Sequence, residues 1–118
     1  MDLVHEITLL LDFYGQLLTE RQYEILDLHY NNDYSLGEIA EQLNISRQGV
    51  FDNIKRGKAV LNNYEQKLGL VVRFSQQKKR VKEILESIKS IDTSCFSDED
   101  KSKFQGIETG IINMMDDF

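Results

Sequence analysis

Residues 35–57 read SLGEIAEQLNISRQGVFDNIKRG, and the fold turns on this stretch. Ser35 followed three residues later by Glu38 has the form of a capping box. The hydroxyl can take the Glu38 amide while the Glu38 side chain reaches back to the Ser35 amide. Leu36, Ile39, Ala40 and Leu43 then fall at the packing positions of a short helix. Asn44 tolerates the left-handed backbone that ends a helix, Ile45 dips inward, and Ser46 can cap a second helix. Two helices joined by a turn of about three residues form a helix-turn-helix. Ala40 is small where the two helices must approach. Ile39, Leu43, Ile45, Val50 and Ile54 can share one core and set the crossing angle.

With Val50 pointing inward, a step of about 100° per residue turns Gln48, Asp52, Lys55 and Arg56 outward and leaves Phe51 at the edge. Ser46 and Arg47 stand at the helix start, where side chains and free amides meet phosphates or base edges. Arginine pairs in bidentate fashion with guanine and glutamine with adenine, which suits Arg47 and Gln48 to base reading. Lys55, Arg56 and Lys58 suit phosphate contact. Asp52 repels a phosphate, although it can accept from a cytosine amine or tether a neighbouring arginine. The candidate DNA-binding set is therefore Ser46, Arg47, Gln48, Phe51, Asp52, Lys55, Arg56 and Lys58. The plain alternative is that this polar face is only solvated.

Outward from the motif, helical patterning continues in both directions. Leu3, Ile7, Leu10, Leu11, Tyr14 and Leu17 predict a first amphipathic helix over 3–18. Thr19 and Gln22 form another capping-box pair, opening a helix to about Tyr30 that buries some of Tyr23, Ile25, Leu26, Leu28 and Tyr30. Asn31, Asn32 and Asp33 have loop chemistry. The helix capped by Ser46 should run to about Lys67, with Gly69 as its stop. Beyond it, Leu70, Phe74, Gln77, Val81, Ile84, Ile88 and Ile91 form a heptad seam. Ser97 can cap a last helix with Phe104, Ile107, Ile111, Met114 and Phe118 in the same alternation. The two seams suit an antiparallel hairpin or an assembly of helices with a second chain, most simply a homodimer. The expected division is 1–69, the N-terminal helix with the helix-turn-helix, and 70–118, a helical extension for dimerisation.

The chain has 118 residues, 41% of them apolar and 29% charged, with no proline to break a helix. Its net charge of −6 is unevenly spread. Residues 1–41 carry nine acids and one base, residues 42–91 eleven bases and four acids, and residues 92–118 seven acids and two bases. A basic middle between acidic ends can meet a polyanion despite the overall sign. Arg73, Lys78, Lys79, Arg80 and Lys82 can extend a phosphate track, bind RNA or simply form the wet face of the heptad helix. No apolar run approaches the roughly 18–20 residues of a membrane span. A lone Cys95 and the lack of a basic, then apolar, leader predict a cytoplasmic protein.

Catalysis has little to work with. His5 and His29 stand apart from any ligand set at metal spacing, Cys95 lies near Asp92 and Asp98, and Gly106 and Gly110 lack the lysine of a phosphate loop. The expectation is a non-enzyme without cofactor or metal.

From Leu18 to Tyr30 and on through Ser35, Glu38, Ile39, Ala40, Leu43, Ile45, Ser46, Arg47, Val50, Ile54 and Arg56, the chain resembles region 4 of bacterial sigma factors, which reads the −35 promoter element. Over nearly its full length it resembles the YlxM family of Gram-positive bacteria, small proteins with such a module and a helical C-terminal extension. That resemblance implies an all-α fold and a DNA-binding regulator. It also implies a link to the signal recognition particle pathway, drawn from the position of the family's genes beside those of the particle's GTPase and receptor. Two departures from sigma factors stand out. No second basic, aromatic-rich domain is expected to melt a promoter, and Gly49 and Asp52 occupy helix positions where bases would raise affinity. The other reading is a protein- or RNA-interaction module that docks on particle components without reading DNA sequence.

Overall fold

The computed structural model describes residues 3–118, with side chains from residue 5 onward, and those residues are all-α with no strand. Helices α1 (Leu3–Tyr14), α2 (Glu20–Leu26), α3 (Leu36–Leu43), α4 (Arg47–Leu68), α5 (Leu70–Lys89) and α6 (Asp98–Asp116) follow in order. The chain divides into two compact units, Met1–Val71 and Val72–Phe118.

In the first unit the helix starts are set by side chains. Thr19 Oγ1 accepts from the Gln22 amide at 3.1 Å while Gln22 Oε1 accepts from the Thr19 amide at 3.2 Å. Ser35 and Glu38 repeat the exchange at 3.1 and 3.0 Å. Hydrogen bonds from the Ser35 amide and hydroxyl hold the Glu38 carboxyl below its ordinary value. This cap therefore contributes stability above the ordinary glutamate value and loses it as pH falls through the depressed one.

The core gathers Ile7, Leu10, Leu11 and Tyr14 of α1, Ile25 and Leu26 of α2, Ile39 and Ala40 of α3, and Val50, Ile54 and Leu61 of α4. Each fully buried aliphatic side chain contributes about 1.5–3 kcal/mol before conformational entropy is charged. Leu3 lies outside the described side chains. Leu17, expected inside, is 52% exposed. The α-helix ends at Tyr14 and tightens into a 3₁₀ turn over Gly15–Leu17, which rotates Leu17 away from the apolar stripe. The chain passes close under Tyr23 here: a β-carbon on Gly15 would sit 2.8 Å from the ring. Tyr23 lies on the exposed side of α2, whereas Ile25 and Leu26 are buried and Leu28 and Tyr30 half-buried.

α2 widens into a π-helical turn over Asp27–Asn31 rather than ending cleanly. Asp27 draws the exit together, accepting from Asn31 Nδ2 at 2.7 Å through its carboxylate and from Asn32 Nδ2 at 3.1 Å through its backbone carbonyl. His29 Nδ1 lies 2.7 Å from the Tyr34 carbonyl oxygen, so that nitrogen carries the proton and donates. His29 thus ties the loop to the helix before it.

Tyr14 joins distant parts of the unit. Its hydroxyl donates to Glu65 Oε1 at 2.7 Å and accepts from the Leu70 amide at 3.1 Å; the same Glu65 oxygen accepts from the Val71 amide at 3.0 Å. Gly69, with φ +63°, makes the left-handed step between α4 and α5. The first free amides of α5 are thereby satisfied by a phenol and a carboxylate.

In the second unit, Ser97 caps α6 by accepting from the Asp100 amide at 3.1 Å, and Asp98, Glu99 and Asp100 suit the positive end of the helix dipole. The rings of Phe74 and Phe118 meet edge-on at 5.4 Å, so the last 18 residues of α5 and the whole of α6 run antiparallel. The two expected seams are only partly covered. Val81 is buried, and Phe74, Ile88, Phe104, Ile111 and Phe118 are half-buried. Gln77, Ile84, Ile91, Ile107 and Met114 remain exposed. Each helix turns one side of its apolar face toward the other and leaves the adjacent side open.

Tyr14→Phe is expected to cost about 1–3 kcal/mol in urea unfolding, because Glu65 and the Leu70 amide lose a partner while the ring remains. Burial first, and then the bond to Glu65, raises the Tyr14 pKa. Its contribution is therefore complete below the unfolded value of about 10 and is lost as pH rises through the higher folded value. The alkaline loss of stability should shrink in the variant.

Candidate nucleic-acid interface

The sharp turn between α3 and α4 is made by backbone that few residue types accept. Asn44 takes the left-handed conformation (φ +55°, ψ +48°), and the Ile45 amide donates to the Ala40 carbonyl at 3.0 Å. Ile45 packs against the core, and Ser46 Oγ accepts from the Gly49 amide at 2.9 Å to start α4. Beneath the turn, Ile39 and Val50 are fully buried, with Ala40 and Ile54 beside them. This layer holds α4 with its other side in solvent.

Ser46, Arg47, Gln48, Phe51, Lys55 and Arg56 are exposed, and Asp52 and Lys58 are half-buried. Gln48, Asp52 and Lys55 share one face at helical spacing, and Gln48 Nε2 donates to Asp52 Oδ1 at 3.1 Å. Asp52 thus holds a glutamine, not the arginine expected as one option. Phe51, 49% exposed, and Lys58 stand one step round the helix. Arg47 lies against the first turn of α3: its Cζ is 3.9 Å from where a β-carbon on Gly37 would be. The absence of a side chain at Gly37 leaves room for the guanidinium. Among the described residues, none of Arg47, Lys55, Arg56 and Lys58 is ion-paired.

Three residues here escaped the sequence reading. Phe51, Ile54, Lys55, Lys58, Ala59 and Asn62 line a shallow groove of about 430 Å³. Ala59 and Asn62 continue the face of Gln48 at positions +11 and +14, a signal that was present in the spacing. Gly57 is the third. It is buried where α4 crosses α2, and a β-carbon there would come within 2.7 Å of Leu26 Cδ1. The close approach expected at Ala40 has a second instance at Gly57.

The chain matches, over residues 1–101, the model of the UPF0122 family, described as "Putative helix-turn-helix protein, YlxM / p13 like". It belongs to that family. A UPF0122 protein of Acetivibrio thermocellus is 64% identical over 116 residues, covering 98% of this chain and 99% of the relative. One from Desulforamulus reducens is 45% identical over 113 residues, 96% of each chain. One from Clostridium kluyveri is 43% identical over 107 residues, 91% of this chain and 93% of its own. The matched span contains the α3–turn–α4 geometry. Among the described residues, no group of three or more His, Cys, Asp or Glu side chains is placed to hold a metal ion, and no helix is long and apolar enough to cross a membrane.

Ser46→Ala is expected to cost about 1 kcal/mol of stability by removing the cap of α4. Hydrogen exchange should speed up most at the Gly49 amide, which loses its acceptor, and little further along α4 around Leu61.

Proposed function

We propose that this UPF0122 member is a non-catalytic, sequence-preferring binder of double-stranded DNA that acts in the cytoplasm as a regulator. The observation that carries this reading is the row of unpaired cations, Arg47, Lys55, Arg56 and Lys58, around an outward-facing α4 held by a rigid turn. Desolvating an ion pair opposes binding, whereas free cations release counterions from the phosphate backbone at no such cost. Phe51 offers an apolar contact to a thymine methyl, and Ser46 with Arg47 places polar groups at the helix start.

The binding form is a homodimer. Gln77 and Ile84 are seven residues apart on α5, Ile91 follows at the same interval just past its end, and Ile107 and Met114 repeat the spacing on α6. Both rows are exposed in the single chain. Such rows are what a second copy covers in a helical assembly. α5 carries six cations against two carboxylates and α6 five carboxylates against two lysines, so α5 of one copy complements α6 of the other. Two recognition helices then address half-sites about 34–36 Å apart or at multiples of that spacing.

A second reading has its own support. A groove of about 410 Å³, lined by Leu11, Gly15, Leu18 and Tyr23 together with the carboxylates Asp12 and Glu20, lies along α1, α2 and the turn between them, outside the α3–α4 motif. It suits docking on a basic protein surface, and the family resemblance directs that to signal recognition particle components. Capture of those components that survives Arg47→Ala but not Glu20→Lys would favour docking over DNA reading.

Binding to duplex DNA, followed by fluorescence anisotropy, should weaken with a log–log salt slope of about −3 per half-site. Arg47→Ala with Arg56→Ala should lower affinity at least tenfold. Undetectable binding at low salt, or binding indifferent to both changes, rejects the DNA reading. In light scattering, the wild type should have twice the chain mass, and Ile84→Glu with Met114→Glu should give monomers that keep their helical circular dichroism.

A further inference from the structure

Asp52 is the residue least expected on a surface that meets phosphates, and its contact with Gln48 gives it a purpose. A glutamine amide by itself is ambiguous. It can offer a carbonyl and one N–H to the N6 amine and N7 of adenine, or turn over and offer its two N–H groups to the O6 and N7 of guanine. The carboxylate of Asp52 removes the ambiguity. At neutral pH a carboxylate accepts hydrogen bonds and donates none. Nε2 of Gln48 must therefore face Asp52 Oδ1, as it does at 3.1 Å, and Oε1 must face away. Turned over, Gln48 would set its carbonyl oxygen against the Asp52 oxygen, two acceptors with no proton between them.

We propose that Asp52 is a positioning residue that fixes the amide of Gln48 to select adenine and reject guanine in the major groove. The inference rests on the DNA-binding reading above. One hydrogen of Nε2 stays on Asp52, the other is free for adenine N7, and Oε1 accepts from the N6 amine. Guanine at the same place sets its O6 against Oε1, and turning the amide over to relieve it gives up the bond to Asp52 and sets two acceptors together. The discrimination comes mainly from what the site repels. It also accounts for the tolerated cost of a negative charge among Arg47, Lys55 and Arg56. Among the described residues no cation is ion-paired with the Asp52 carboxylate, and Arg56, one turn along, leaves it to Gln48.

The test uses the full-length protein and its Gln48→Ala, Asp52→Asn and Asp52→Ala variants. Each is selected against a random duplex library, and affinities are then measured on the best wild-type site and on copies with single A-to-G changes. The wild type should prefer adenine at one position of each half-site by roughly 5–150-fold, the range of one bidentate pair. Gln48→Ala should abolish the preference there and nowhere else. Asp52→Asn, whose amide can donate as well as accept, should bring adenine and guanine within about threefold of each other, because Gln48 can then adopt either orientation. The same variant should bind every duplex more tightly, having lost a negative charge. A purely electrostatic or structural role for Asp52 would move all duplexes together and leave the ratio unchanged. An unchanged adenine-to-guanine ratio in both Asp52 variants, or no position that depends on Gln48, overturns the inference while DNA binding stands. Absence of any duplex enrichment with wild-type protein overturns both.

Discussion

A left-handed residue at Asn44 sends the chain back on itself between two helices that share a core, and the outward face of α4 depends on that reversal. Ile39 and Ala40 press on Val50 and Ile54, so α4 cannot roll without exposing apolar surface. Ser46 then starts α4 abruptly, with its hydroxyl on the Gly49 amide. The positions of Arg47, Gln48 and Lys55 follow from a capped helix start and a buried stripe on the opposite side.

The first unit secures this geometry from behind. α4 is crossed by α2 at Gly57, where the Leu26 side chain fills the space a β-carbon would need, and its last turn is tied to α1 by the Tyr14–Glu65 hydrogen bond. Both contacts join residues far apart in sequence. One holds the 22-residue α4 at its middle and the other at its last turn, so its solvent side is presented by a braced rod rather than by a free helix. The second unit is built differently. Its two helices place half-buried rings and aliphatics between them and leave a further row of apolar residues in water. A pair of helices this thin has little surface to hide within itself.

Charge is distributed to match. The acidic excess lies in residues 1–41 and 92–118, and eleven of the fourteen cations lie on α4 and α5. A protein with a net charge of −6 can present a cationic helix because only local charge acts within about 8–10 Å at physiological salt. Within that helix Asp52 stands apart, bonded to a glutamine and to no cation.

Much of the fold was legible in residue types with local effects. Thr19–Gln22, Ser35–Glu38, Ser46 and Ser97 marked helix starts, and Asn44 and Gly69 marked ends, because caps and left-handed steps involve neighbours in the chain. The apolar spacing likewise picked out Ile39, Val50 and Ile54 as one layer. Long-range contacts decided the rest. Leu17 kept the helical period and still faced solvent, since the chain tightens into a 3₁₀ turn from Gly15, beside the Tyr23 ring. Nothing within ten residues of Tyr14 announced its bond to Glu65, 51 positions away. Gln48 and Asp52 were both singled out as outward-facing, but the bond between them required side-chain torsions that a period of 3.6 residues does not specify. Periodicity says which side of a helix a residue occupies; only packed neighbours say how far it turns and what it holds.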